Sequence, residues 1–140
     1  MQLSRRQAMK LGGATVAVSL VPVKLLAATE AFQAAIDEFT GGASVGEGGI
    51  TLTAPEIAEN GNTVPVKVSA PGAKRILMLA EGNPAPGIAQ FNFSSMAVPE
   101  GSTRIRLATS QNVVAIAEMA DGSYSQVASA VKVTIGGCGG

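Results

Sequence analysis

Beyond Gly49 the sequence is divided into short segments by glycine, proline and asparagine, and this punctuation limits what the chain can fold into. Turn signals recur roughly every ten to fifteen residues, a spacing typical of short strands joined by turns. No segment after residue 49 keeps the helical period over three turns. The sequence therefore excludes a helical bundle and predicts an all-β domain.

The alternation of apolar and polar residues predicts about seven strands. Residues 76–79 form a continuous apolar run, which we interpret as a strand buried on both faces. Residues 120–123 carry an Asp-Gly turn that predicts a hairpin between the last two strands. This pattern favours an immunoglobulin-like antiparallel β-sandwich over a barrel. The predicted strands cover residues 50–52, 64–68, 76–79, 89–93, 104–107, 113–119 and 124–135.

A single helix is predicted before the strands, over residues 28–40. Thr29 is a plausible N-cap, and Gly41 and Gly42 follow the predicted end. An apolar stripe at helical spacing would pack either on the body of the protein or on a partner. The stripe consists of Phe32, Ala35, Ile36 and Phe39.

Residues 1–28 have the organisation of an export signal, with a basic start, an apolar stretch over residues 11–21 and small residues at its end. Ser4, Arg5, Arg6 and Lys10 stand in the register of a twin-arginine motif. An ordinary export signal is the alternative interpretation. The twin-arginine route carries folded cargo to the bacterial periplasm, so the motif predicts a periplasmic protein that folds with a partner before export.

Composition excludes several kinds of chemistry. The 140 residues contain no His and one Cys, so a Ser-His pair, a His-ligated metal and an intramolecular disulfide are all excluded. Beyond residue 28, six basic residues face ten acidic ones, a net charge of −4. An acidic body argues against nucleic-acid binding, which needs a basic face.

The chain ends in Gly136-Gly137-Cys138-Gly139-Gly140, which we interpret as a flexible arm. Glycine samples both signs of φ, so ordering this segment would cost more entropy than its contacts return. Three extended residues would place the sulfur roughly 10 Å beyond Ile135, far enough to enter a cleft of another protein. No cation adjoins Cys138, and the nearby terminal carboxylate disfavours its thiolate, so a visited protein must activate the thiol. The domain organisation is thus 1–28 export signal, 29–135 helix and sandwich, and 136–140 arm.

Two other roles for Cys138 stay open at this stage. The thiol could be incidental, or it could link two subunits of an interaction module through an intermolecular disulfide. A thiol oxidoreductase is disfavoured because the chain has no second cysteine to resolve a mixed disulfide.

The leader, the stretch 53–61 running into Val64-Pro65-Val66-Lys67-Val68, and the terminal pentapeptide together resemble the SoxY family of sulfur carriers in bacterial thiosulfate oxidation. The resemblance implies a non-enzymatic carrier without a cofactor of its own, in which Cys138 holds thiosulfate-derived sulfur covalently. It also implies a heterodimer with SoxZ. The transient partners it implies are a c-type cytochrome complex, a manganese-dependent hydrolase that releases sulfate, and a sulfane dehydrogenase.

Other polar residues are interpreted as surface. Glu56 with Glu59, and Asp37 with Glu38, could be offered as acid pairs, but solvated positions suit them better. Residues 46–49 are interpreted as a loop without a phosphate-binding role.

Overall fold

The computed structural model describes residues 23–135, with side chains described from residue 29 onward. Over that range the chain forms one helix, α1, and nine strands, β1 to β9. The elements are α1 (Val23–Thr40), β1 (Val45–Glu47), β2 (Thr51–Thr53), β3 (Ile57–Ala58), β4 (Val64–Ser69), β5 (Ala73–Ala80), β6 (Gly87–Asn92), β7 (Glu100–Ile105), β8 (Gln111–Met119) and β9 (Tyr124–Val133).

The strands form two facing sheets. The larger sheet has the order β1-β9-β8-β5-β6, with β3 also paired to β9, and the smaller sheet has the order β2-β4-β7. The pairs are antiparallel except at one edge, where the short β1 and β3 both run parallel to β9. The predicted immunoglobulin-like sandwich preceded by a helix is confirmed.

The main core lies between the two sheets. In β4, Val64, Val66 and Val68 point inward and are buried, whereas Pro65 and Lys67 point to solvent. This is the alternation expected of a strand with one buried face. Inward residues of the larger sheet meet them, among them Ile76, Met78, Val113, Ala115 and Val131.

A second core lies under α1, on the outer face of the larger sheet. Phe39 is buried there with Leu79, Val114 and Ile116, and the rest of the helical stripe packs around them. Met78 faces the main core while Leu79 faces the helix, so the prediction of a strand buried on both faces is confirmed. The stripe therefore packs on the body of the protein, which decides a question that the sequence left open.

Arg75 ties the end of α1 to the sheet. Its Nε donates to Glu118 Oε2, its Nη2 donates to the carbonyl oxygen of Phe39 at 3.3 Å, and its Cζ lies 4.5 Å from the centre of the Phe39 ring. A cation at the C-terminus of a helix also favours the helix dipole. One side chain thus fixes the last turn of α1 to β5 and β8.

The predicted start of the helix is wrong. The helix begins at Val23, not at residue 28, and Thr29 lies within it instead of preceding it. No glycine or proline occurs between Val23 and Thr40, so nothing in the backbone interrupts the helix at Thr29. The predicted end at Thr40 is confirmed, and Gly41 adopts a φ of 65° directly after it.

Three strand assignments differ from the sequence prediction. β1, over residues 45–47, overlaps the loop predicted over residues 46–49, and β3 was not foreseen. The strand predicted over 104–107 is β7, which runs from Glu100 to Ile105, because each of its residues pairs with β4. Isolated two- and three-residue strands carry too few residues to show a period, so only their pairing with β9 identifies them.

The hairpin between β8 and β9 is confirmed. Gly122 has a φ of 84°, and the Asp121 carboxylate accepts hydrogen bonds from the backbone N and the hydroxyl of Ser123, at 2.9 and 2.6 Å. These hydrogen bonds lower the pKa of the Asp121 carboxyl. The turn therefore fixes the register of the two longest strands.

We expect Phe39→Ala to lower the free energy of unfolding by about 3 kcal/mol, because it leaves a cavity in the core beneath α1. Urea denaturation followed by circular dichroism measures the change. The matched control is Glu38→Ala, an exposed position on the same helix, for which a change below about 0.5 kcal/mol is expected. Equal stabilities for the two variants would show that α1 does not depend on this core.

Candidate functional site: the base of the C-terminal arm

The residues that the sequence assigns to function lie outside the described part of the chain. Cys138 with its four neighbours Gly136, Gly137, Gly139 and Gly140, and the export residues Arg5 and Arg6, stay predictions from the sequence. The structure does describe the residues from which the C-terminal arm starts. Ile135 is the last of them, three positions before Cys138.

One edge of the arm base is held by the segment that contains β3. The amides of Lys132 and Thr134 donate to the carbonyls of Glu56 and Ala58, at 2.9 and 3.0 Å. The Thr134 hydroxyl donates to the Glu59 carbonyl at 3.0 Å. Regular backbone pairing therefore continues past the end of β9.

Gly61 links the arm base to the smaller sheet. Its amide donates to the carbonyl of Ile135 at 2.8 Å, and its carbonyl accepts from the amide of Leu107 at 2.7 Å. Gly61 is buried, and the sequence had identified it only as part of a turn. The last described residue is thus connected, through Gly61, to the segment that directly follows β7.

Ser110 holds the other edge of the base. Its hydroxyl accepts from the amide of Val133 at 2.8 Å and donates to the carbonyl of the same residue at 3.3 Å. The side chain thereby replaces a strand neighbour where β8 has not yet begun. No local sequence pattern indicates this role, because Ser110 lies in a stretch that is typical of a loop.

The acidic residues near the base are on the surface, as predicted. Glu56 and Glu59 are exposed, and so are Asp37 and Glu38 on the polar side of α1. Among residues 23–135, no three acidic or thiol side chains are placed to hold a metal ion together. In the same part of the chain, no helix is long and apolar enough to cross a membrane.

Comparison with known families gives one match. The family described as "Sulfur oxidation protein SoxY" matches residues 36–138, a range that begins in α1 and reaches Cys138. No curated protein matches the chain significantly.

Two solved structures are similar in fold to this chain. The sulfur carrier protein SoxY from Chlorobium limicola f thiosulfatophilum is 36% identical, with a TM-score of 0.67, and the match covers 76% of this chain and 98% of that one. A superoxide reductase (neelaredoxin) from Ignicoccus hospitalis is 20% identical, with a TM-score of 0.54, over 61% of this chain and 80% of that one. The second likeness concerns the fold alone.

We expect Ser110→Ala to loosen the arm base without unfolding the sandwich. Losing the hydrogen bond from the Val133 amide to the Ser110 hydroxyl, worth about 1 kcal/mol, should speed amide exchange at Val133 about fivefold. Hydrogen exchange followed by NMR measures this, and Ser102→Ala, an exposed change on β7, is the control. Unchanged exchange at Val133 would show that Ser110 does not hold the base.

Proposed function

The chain belongs to the SoxY family of sulfur oxidation proteins, and from that premise we propose that it carries thiosulfate-derived sulfur on Cys138 in the periplasm. The family and the similar structure support a sulfur carrier protein in sulfur oxidation. The observation that carries the finer proposal is the juxtaposition of a firmly anchored base at Ile135 with a glycine-flanked thiol three residues further on.

The proposed carrier needs both a firmly held base and an arm without bulky side chains, and for the same reason. A partner enzyme must receive the sulfur atom in its own active site, while the body of the carrier stays outside. One edge of the base is hydrogen-bonded as far as Ile135 and the other as far as Val133. The glycines beyond it add no side chain that would obstruct a narrow entrance.

The covalent chemistry begins with oxidative loading. The Cys138 thiol loses its proton, and an S–S bond forms to the outer sulfur of thiosulfate, giving Cys–S–S–SO₃⁻. The electron pair released passes to a c-type cytochrome complex. Water then cleaves the terminal S–S bond on a manganese-dependent hydrolase, which releases sulfate and leaves the persulfide Cys–S–SH.

A second round restores the thiol. A sulfane dehydrogenase accepts the electrons as water oxygens convert the persulfide sulfur to a sulfonate, Cys–S–SO₃⁻. Hydrolysis of that bond releases a second sulfate and returns Cys–SH. In this proposal the carrier contributes the sulfur atom and its placement, and the partners contribute the metal, haem and acid–base groups.

Two further parts of the proposal concern export and assembly. The twin-arginine motif around Arg5 and Arg6 supports export of a folded protein, and a heterodimer with SoxZ would explain why folding precedes export. These parts rest on the sequence and on the resemblance.

We expect intact mass spectrometry to show a thiosulfate-derived adduct on the C-terminal peptide after incubation with thiosulfate and the oxidising partner. Cys138→Ser should carry no adduct and should unfold as the wild type does, since position 138 follows the last residue of β9 by five positions in the sequence. An adduct on the Ser variant, or none on the wild type, would contradict the carrier role. A stable dimer on a non-reducing gel that persists during turnover would favour an intermolecular disulfide instead.

We expect Gly137→Leu with Gly139→Leu to reduce turnover with the partner enzymes about tenfold or more, because bulky side chains keep the thiol from its working position. The matched control is Gly137→Ser with Gly139→Ser, which keeps the chain length with small side chains. Thermal denaturation should give the same midpoint for all three proteins. Full turnover by the leucine variant would rule out a narrow entrance.

A further inference from the structure

An open groove lies at the end of the sandwich from which the arm starts. Its volume is about 410 Å³, and it runs between the end of β7 and the loop that joins β5 to β6. The residues that matter for its chemistry are Asn62, Asn83, Gly87, Ile88, Arg104 and Arg106.

The groove carries two arginines without acidic partners. Arg104 and Arg106 are both exposed, at alternate positions of one extended segment. Within residues 29–135, the ion pairs join Lys67 to Glu100 and Arg75 to Glu118, and no carboxylate lies within 4.0 Å of either groove arginine. Two cations at one site in a body of net charge −4 make the groove attractive to an anion.

The wall of the groove is rigid. Asn83 is only 6% exposed, and its side-chain nitrogen donates to the carbonyl of Arg106 at 2.7 Å. Its side-chain oxygen accepts from the Ala108 amide at 3.0 Å and from the Gln111 side chain at 2.8 Å. The backbone that carries Arg106 is therefore fixed, and only its guanidinium needs to adjust.

The groove is close to the arm base. Gly61 is hydrogen-bonded both to Ile135, where the arm starts, and to Leu107. Asn62 follows Gly61 and Arg106 precedes Leu107, so groove residues adjoin both of these contacts. Ile135 is thus one hydrogen bond and one residue away from Asn62, and three extended residues span roughly 10 Å.

We propose that the groove of Arg104 and Arg106 binds the anionic –SO₃⁻ end of the adduct on Cys138, and so holds the loaded arm against the body. This proposal rests on the carrier function proposed above. Guanidinium groups form charge-assisted hydrogen bonds with multi-oxygen anions, which the neutral thiol cannot accept. Docking therefore depends on the load, and the arm is released when the sulfonate is removed.

The docking is weak enough to be reversible. Both arginines are exposed, and exposed ion pairs change an equilibrium by only about two- to fivefold. The arm tethers its own ligand at an effective concentration of about millimolar, so weak contacts suffice. A loaded arm would then divide its time between the groove and partner enzymes.

The test uses a loading reaction that needs no partner enzyme. Tetrathionate reacts with the Cys138 thiolate, which attacks an inner sulfur, forms Cys–S–S–SO₃⁻ and releases thiosulfate as leaving group. Intact mass confirms the load on the full chain. The Cys138 thiolate attacks the methylthio sulfur of methyl methanethiolsulfonate, which releases methanesulfinate and gives Cys–S–S–CH₃, a neutral adduct that lacks the sulfonate.

We expect the NMR amide signals of Asn62, Asn83, Arg104 and Arg106 to move when tetrathionate loads the wild type, and to return as salt is raised. Methylthiolation should leave them in place. In Arg104→Gln with Arg106→Gln, the signals at Asn62 and Asn83 should no longer respond to loading. The control with the same change in net charge is Lys67→Gln with Lys74→Gln, two exposed positions outside the groove and the arm base, which should respond as the wild type does.

Three results would overturn the groove proposal. The signals could stay in place although mass shows a loaded chain, or they could move equally with the neutral adduct. They could also move in Arg104→Gln with Arg106→Gln as they do in the wild type, which would show that the two arginines do not hold the sulfonate. The carrier function is tested separately, by loading from thiosulfate with the oxidising partner, so the two proposals can fail independently.

Discussion

The rest of the structure depends on the hydrogen bonding of β9 along both of its edges. β8 pairs with it through most of its length, and β1 and β3 pair with its other edge. Ser110 bonds to its last residue, Val133, and Gly61 bonds to Ile135 two residues further on. A strand bonded on one edge can peel away from its end, whereas a strand bonded on both edges must break two ladders at once. The end of the described chain is therefore a fixed point.

Ile135 lies at the boundary between two segments of different composition. The sandwich gains its stability from apolar burial in two cores, one between the sheets and one under α1. Residues 136–140 contain no large apolar side chain, in contrast to the strands that precede them. The composition of the sequence therefore changes directly after Ile135, from residues that pack in the two cores to a glycine-flanked cysteine.

Local sequence patterns predicted the elements whose packing is visible in a few residues. The apolar run at 76–79 indicated burial on both faces, and the alternation at Val64, Val66 and Val68 indicated one buried face, because each pattern is set by the geometry of a single strand. The predicted start of α1 was wrong because a threonine before an apolar stripe resembles an N-cap wherever it occurs. β1 and β3 were missed because their partner, β9, lies far away in the sequence. Ser110 and Gly61 were missed for the same reason, since their role exists only once the end of β9 lies beside them.

Arg104 and Arg106 show that a sequence pattern does not reveal which charged side chains form ion pairs. Their alternation with Ile105 and Leu107 indicated only a strand with one polar face, which is the ordinary meaning of such a pattern. The body has six basic and ten acidic residues, so its composition would allow every cation to form an ion pair. The fold places Glu100 beside Lys67 and Glu118 beside Arg75, and leaves the two groove arginines without a carboxylate. An exposed, unpaired arginine pair suits the reversible docking proposed above, because exposed ion pairs are weak, and burying the two charges would add a desolvation cost.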